Sequence, residues 1–261
     1  LDNVHRQGAG MVDVDDSITA TTYITPGKIA TGEGESGPYT QRLTVQNNGD
    51  VAVTYQLSSV NALSTGGIIT PSFSLSNASV AFSSDMLTIA AGGSATVDAT
   101  ITPASTPVNG QYGGYIVFTP DDGGQVYRVP FAGFVGDYQG IQVLAPTANG
   151  FPWLAQLDAG SYFNCPTGCS YSMQGEDLPW FLIHFDHHAR YMEMNILHAG
   201  SMQPVHPVFH KTNVSDYLPR NSSATGFFTF SWDGTRIHSN GGKGKTKQVP
   251  NGDYVLQLKV L

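Results

Sequence analysis

Charge is what this chain has least of. Lys, Arg, Asp and Glu make up 12% of its 261 residues, about half of the roughly 25% usual in globular proteins. Ser, Thr, Asn, Gln and Gly must therefore cover most of the surface, a common look for extracellular proteins. Cations are scarcer than anions: 12 Lys and Arg face 20 Asp and Glu, giving a net charge of -8 and a pI near 5.3, which argues against a nucleic-acid footprint. The basic cluster Lys243, Lys245 and Lys247 lies in a Gly-rich stretch and reads as a solvated loop. No apolar run approaches the roughly 20 residues that span a bilayer, so no membrane partner is expected.

Catalytic motifs are missing as well. The sequence has no Gly-x-Ser-x-Gly elbow, no Ser-x-x-Lys, no His-Glu-x-x-His and no phosphate-binding loop. Cysteine is nearly absent: Cys165 and Cys169, in Cys-Pro-Thr-Gly-Cys, are the only two. Beside three Asn-x-Ser sequons at Asn77, Asn213 and Asn221 they suggest an oxidising compartment, hence a secreted, glycosylated protein. A disulfide is expected, with two unpaired thiols as the alternative; a loop so short gains about 2 kcal/mol at best.

What is present is a β pattern. At 40% hydrophobic residues, the chain can build one large core or two ordinary ones. Residues 39–46 alternate through Tyr39, Leu43 and Val45; after the turn Asn47-Asn48-Gly49-Asp50, Val51, Val53, Tyr55 and Leu57 alternate again. A polar turn between alternating runs predicts a hairpin or a sandwich corner. Further strands are expected over 67–74, 79–82, 86–90, 94–102, 112–119 and 125–131. So many short strands without an intervening amphipathic helix mark an all-β sandwich.

Around Pro130 to Leu144 the pattern breaks at Gly133, Gly136 and Gly140 and reads as a hinge. Residues 146–179 lack clean periodicity and read as a long linker with local order. Beyond them, 180–186 and 190–198 predict a hairpin with His187, His188 and Ala189 at its tip, followed by strands over 227–232 and 253–261.

Candidate sites are few. Six of the eight histidines fall between His184 and His210, but the predicted hairpin scatters them: if Asp186 pairs with Arg190, His184 faces Met192 and His198 lies out of reach. No metal site is expected there, since zinc needs imidazole nitrogens about 2.0–2.1 Å away. Asp13, Asp15 and Asp16, and the run Asp121-Asp122-Gly123-Gly124, could offer oxygens to a structural calcium, without EF-hand spacing; acidic turn residues without an ion are the plainer reading, and no cofactor is otherwise expected. Trp153, Trp180 and Trp232 could line a carbohydrate platform or serve as core.

Segments in four regions of the chain carry a resemblance. Gln7-Gly-Ala-Gly10, followed by Met11, Val12, Asp13 and a short helix ending at Ala20, resembles the last segment of the catalytic domain of secreted subtilisin-like serine proteases (subtilases). Leu43-Thr-Val-Gln-Asn-Asn-Gly-Asp50 with Val51-Ala-Val-Thr-Tyr55, then Ala90-Ala-Gly-Gly-Ser-Ala-Thr-Val97, is similar to the fibronectin type III-like sandwich that follows in that family. So is Pro130-Phe-Ala-Gly-Phe-Val-Gly-Asp-Tyr138. Leu218-Pro-Arg-Asn221, Trp232-Asp-Gly-Thr235 and Val249-Pro-Asn-Gly-Asp-Tyr254 resemble the family's next β-rich unit.

The resemblance implies 1–20 as the terminal segment of a catalytic domain, 21–145 as a fibronectin type III-like β-sandwich, and 146–261 as a linker plus a second, smaller β-rich unit. It implies a non-catalytic accessory region that buttresses an upstream subtilase domain, in cis or after cleavage, and meets protein substrate only through it. The family's Asp, its His in His-Gly-Thr and its Ser in Gly-Thr-Ser-Met-Ala are absent, so no catalytic residue carries over. On this reading the start at Leu1, without Met or signal peptide, is a processed or truncated end. The alternative is a stand-alone extracellular carbohydrate-binding or adhesive sandwich.

Overall fold

The alternation turns into strands in the computed structural model, which describes residues 1–67, 69–238 and 244–261. Two units result, Leu1–Ile141 and Gln142–Leu261, and the break falls just after Gly133, Gly136 and Gly140. Among the described residues, the first unit opens with two short helices, α1 (Val4–Gln7) and α2 (Val14–Thr19). Its strands are β1 (Thr22–Thr25), β2 (Ile29–Glu33), β3 (Tyr39–Asn47), β4 (Val53–Asn61), β5 (Leu63–Gly66), β6 (Ser72–Leu75), β7 (Ser79–Phe82), β8 (Met86–Ile89), β9 (Ser94–Thr102), β10 (Gln111–Pro120) and β11 (Tyr127–Phe134).

One sheet runs β1-β3-β9-β7. The other runs β2-β11-β10-β4-β8, with β5 joined to β10 and β6 to β5. Every pairing is antiparallel except β2 beside β11. The two sheets close on a shared core because alternate residues point to one face. Leu43 and Val45 of β3 and Val97, Ala99 and Ile101 of β9 meet Tyr55, Leu57, Ile89, Ile116, Phe118, Val129 and Phe131 of the facing sheet.

Polar groups inside this core are paired, as burial demands. The Tyr55 hydroxyl lies 2.7 Å from Thr22 Oγ1, and Tyr112 stands the same distance from Thr31 Oγ1. Burial pushes both phenols above their ordinary pKa. Asn47, at the end of β3, holds the sandwich corner: its Nδ2 donates to Val51 O at 2.7 Å and Ala90 O at 3.2 Å, while its Oδ1 accepts from Gly49 N–H at 2.9 Å.

The second unit contributes, among the described residues, β12 (Trp153–Asp158), β13 (Ser161–Asn164), β14 (Trp180–Ile183), β15 (Ala189–His198), β16 (Lys211–Leu218), β17 (Phe228–Ser231), β18 (Thr235–Ile237), β19 (Thr246–Gln248) and β20 (Tyr254–Val260). These form a sheet β13-β12-β14-β17, a sheet β16-β15-β20 and a ribbon β18-β19. Ile183, Phe185 and Met192 form the centre of a core walled by Phe181, Phe228, Phe230, Leu258 and Val260. Cys165 and Cys169 are joined in a disulfide, which belongs in an oxidising compartment. Among the described residues, no helix is long and apolar enough to cross a membrane.

Three expectations need correction. The strand expected over 67–74 starts only at Ser72: β6 pairs back on β5, which ends at Gly66, and Gly67, at a φ of +87°, falls between the two strands; Ile68 lies outside the described residues. The expected linker over 146–179 contains the hairpin β12-β13, whose aromatic outer face hides its alternation. The hairpin expected between 180–186 and 190–198 does not form. β14 pairs with β12 and β17, whereas β15 pairs with β16 and β20. The chain crosses between sheets at 184–188, because Phe181, Ile183 and Met192 are needed on opposite walls of one core.

Asn47→Ala should strip three backbone groups of their partner and lower stability by about 2–3 kcal/mol. Urea unfolding of the full chain should show a lower midpoint at unchanged slope; an unchanged midpoint would deny the corner role.

Candidate functional site

The first ten residues are clasped to the outer face of the first sandwich. Asn3 caps α1 by accepting from His5 N–H at 2.8 Å, and its Nδ2 donates to Thr65 Oγ1 at 2.8 Å. Val4 is buried against Ala62 and Tyr115, beside Val117 and Ala132. The Tyr115 hydroxyl accepts from Gln7 Nε2 and donates to Gly8 O, each at 2.8 Å. Gly113 makes this fit possible: a Cβ there would stand 2.9 Å from Val4 Cγ2 and 2.6 Å from Phe131 O.

Past Gly10 the character reverses. Asp13 caps α2 by accepting from Asp16 N–H at 3.2 Å, and acidic Asp15 and Asp16 suit the helix start. No residue of α2 is buried. Met11 is 99% exposed, Val12 81%, Val14 62% and Ile18 78%. Val14 and Ile18 share one helix face at i,i+4, so an apolar stripe stands in solvent next to a fixed anchor. The expectation treated 1–20 as one piece; the structure divides it into a seated arm and an uncovered stripe.

The other expected sites resolve by their partners. His184 is buried, with Nδ1 2.6 Å from Gly226 O and Nε2 3.0 Å from Asp186 Oδ1. Both nitrogens are engaged, so the ring is not free to serve as base for a nucleophile. His187 and His188 stack 4.1 Å apart; desolvation, then His187 and Arg220, lowers the His188 pKa. Among the described residues, the one gathering of three or more metal-type side chains is Glu33, Glu35 and Asp137, within 4.8 Å of each other and largely exposed, a group the sequence reading missed because Asp137 is far along the chain from the other two and only the pairing of β2 with β11 brings them together. Asp122 instead accepts from Gly124 N–H at 2.9 Å in a local turn.

Trp232 is core, donating Nε1–H to Thr235 O at 2.8 Å. Trp153 and Trp180 belong to a half-exposed aromatic layer with Tyr162 and Phe227, packed on buried Phe151, on the outer face of the β12-β14 sheet. Of the sequons, Asn77 is exposed, Asn213 is half-buried, and Asn221 is buried with its Oδ1 accepting from Phe185 N–H at 2.8 Å. An amide fixed there has no room for a glycan.

One charged group is set deep in the second unit. Glu193 of β15 is nearly buried, accepting from Tyr191 OH at 2.6 Å and Asn195 Nδ2 at 3.0 Å, and it is paired with Lys211. Burial alone would raise its pKa. The bonds from Lys211, Tyr191 and Asn195 outweigh that and hold it at about 2.

Residues 31–132 match the model of the Fn3-like domain family, so the first sandwich is Fn3-like. Among solved structures, the chain is similar to a PapD-like domain of human CEP192 at 19% identity, covering 44% of this chain and 84% of that one, with a TM-score of 0.34. It is similar to the CooA pilin subunit of enterotoxigenic Escherichia coli at 18% identity over 45% and 99%, TM-score 0.32. A third similarity is to the Pseudomonas aeruginosa CupB2 chaperone at 10% identity over 92% and 100%, TM-score 0.30. No curated protein matches the sequence.

The depressed Glu193 carboxyl contributes stability that is fully present above its ordinary pKa of 4.5 and is lost as pH falls from there through about 2. Over that window the chain should lose roughly 2–4 kcal/mol from this group. Glu193→Gln should flatten the dependence in thermal melts between those pH values; an equally steep fall in the variant would assign it to other carboxylates.

Proposed function

We propose that the chain is a non-catalytic accessory region of a secreted subtilisin-like serine endopeptidase, seated beside the catalytic domain to stabilise it and shape access to its cleft. The observation that carries this reading is the apolar stripe Met11, Val12, Val14 and Ile18, exposed directly after an arm that Val4, Asn3 and Tyr115 anchor to the sandwich. Each of these side chains gains roughly 1.5–3 kcal/mol when fully buried, so the stripe calls for a cover. The resemblance of Gln7-Gly-Ala-Gly10 and its sequel to the end of a subtilase catalytic domain names that cover. The disulfide and the exposed sequon at Asn77 support an extracellular setting.

A second reading, a carbohydrate-binding or adhesive sandwich, is favoured by the outward layer of Trp153, Trp180, Tyr162 and Phe227. The parent reading frame separates the two. Produced from the whole frame, the protein should carry serine-directed fluorophosphonate label upstream of Leu1 and none within residues 1–261. Val12→Asp with Ile18→Asp should lower the thermal stability of the labelled species by several degrees, yet leave the melting of residues 1–261 alone unchanged. A frame without a serine nucleophile, with tryptophan fluorescence quenched by oligosaccharides, would favour the second reading instead.

Made in a eukaryotic secretory host, the chain should carry glycan at Asn77. Asn77→Gln should then remove the mass released by endoglycosidase, while Asn221→Gln should not; no mass loss from the native chain on treatment would count against the extracellular assignment.

A further inference from the structure

Net charge is unevenly divided. The first unit carries four Lys and Arg against twelve Asp and Glu, whereas the second balances eight against eight and holds seven of the eight histidines. Within that second unit the cations are not spread out. The register of the ribbon sets Arg236 of β18 opposite Lys247 of β19, and the bond from His238 N to Lys245 O places the next pair opposite each other. Side chains two apart share a face, so Arg236, His238, Lys245 and Lys247 all stand on one side of a two-stranded ribbon.

Like charges directly across a strand pair are destabilising, and Arg236 opposite Lys247 is such a pair, with Lys245 opposite His238 next along the same face. His206 faces the same cluster from the loop before β16. Its pKa is lowered by desolvation and then by Arg236, His238, Lys247 and His210, every charged neighbour being a base. Among the described residues, no carboxylate lies within ion-pair distance of Arg236, His238, Lys245 or Lys247. Asp233, the nearest in sequence, is turned to Thr235, accepting from its N–H at 2.9 Å and its hydroxyl at 2.7 Å. Arg236 is steadied by donating to Phe209 O at 3.1 Å, while His238, Lys245 and Lys247 are exposed.

We propose that this ribbon face is a docking surface for an extended acidic peptide. Cations two residues apart on one strand repeat about every 7 Å, and the cross-strand partners stand ~5 Å away. Carboxylates at alternate positions of an extended chain repeat at that same ~7 Å, so one acidic side chain meets Arg236 with Lys247 and the next meets Lys245 beside the His238 ring. β19 forms one edge of the ribbon, pairing with β18 alone, and so leaves unpaired backbone groups along which such a peptide can lie. The assignment is independent of the protease reading, since it needs only the second unit's own residues.

The test uses the full chain and a fluorescein-labelled peptide of alternating glutamate and serine, read by anisotropy at low ionic strength. A peptide with glutamine in place of glutamate serves as control. The native chain should bind the acidic peptide and not the control, and added salt should weaken binding, as expected for exposed charges. Lys245→Gln with Lys247→Gln should weaken it about tenfold without changing the melting temperature, and Arg236→Gln severalfold. Equal binding by the double variant would overturn the proposal. So would tighter binding of a sulfated oligosaccharide of equal charge. Self-association of the native chain that the double variant abolishes would reassign the face to a second copy, and the proposal would fail.

Discussion

Burial of β10 on both faces is the constraint on which the first unit rests. A strand that pairs with β4 on one side and β11 on the other has all its backbone bonds committed, and what remains is how its two faces are covered. Tyr112, Ile116 and Phe118 fill the inner core, with Gly114 leaving room for the Phe131 ring that a Cβ would meet at 2.6 Å. Outward, Gly113 and Tyr115 receive Val4, Gln7 and Gly8. The terminal arm is thus part of the sandwich's own cover, and this fixes where the uncovered stripe begins. An apolar segment tethered by a rigid anchor loses less entropy on docking than a free tail.

Legibility in the sequence followed periodicity. Strands with one polar face, such as β3, β4, β9 and β11, announce themselves by alternation, and so does the corner at Asn47. β15 is buried on both faces through Met192, Met194 and Ile196 on one and Glu193 and Asn195 on the other, so its pattern carries no mark of which strand it joins. Nearness in sequence suggested a hairpin with β14; the core required the two strands on facing sheets. β16, with Asn213, Ser215 and Asp216, and the ribbon, with its Gly-rich connection, were too polar to stand out as strands. Lys243 of the basic cluster lies outside the described residues, yet the register of Lys245 and Lys247 turns a run that looked like a solvated loop into an ordered cation face.

The site residues divide in the same way. The disulfide could be read from spacing and composition, because short-range chemistry needs no knowledge of the fold. Asn221 could not: its sequon is indistinguishable from that of Asn77, but its side chain and backbone bracket Phe185, accepting from Phe185 N and donating to Phe185 O. A motif specifies what an enzyme can modify; both amides are hydrogen-bonded, Asn77 to Ser105 and Asn221 to Phe185, and it is the burial of Asn221 against the exposure of Asn77 that separates them.

Both units use their buried polar groups for structure. Tyr55 and Tyr112 are closed off by threonines, Asn47 and Asn221 hold backbone, His184 is spent on Gly226 O and Asp186, and Glu193 is locked by Lys211 and Tyr191. Among the described residues, Ser64 Oγ and Asn195 Oδ1 are the only buried side-chain atoms without a partner, and neither a serine hydroxyl without a base nor an amide oxygen makes a nucleophile. The chemistry left for recognition therefore lies on the outside, in the apolar stripe after Gly10, the aromatic layer around Trp180 and the cations of the ribbon.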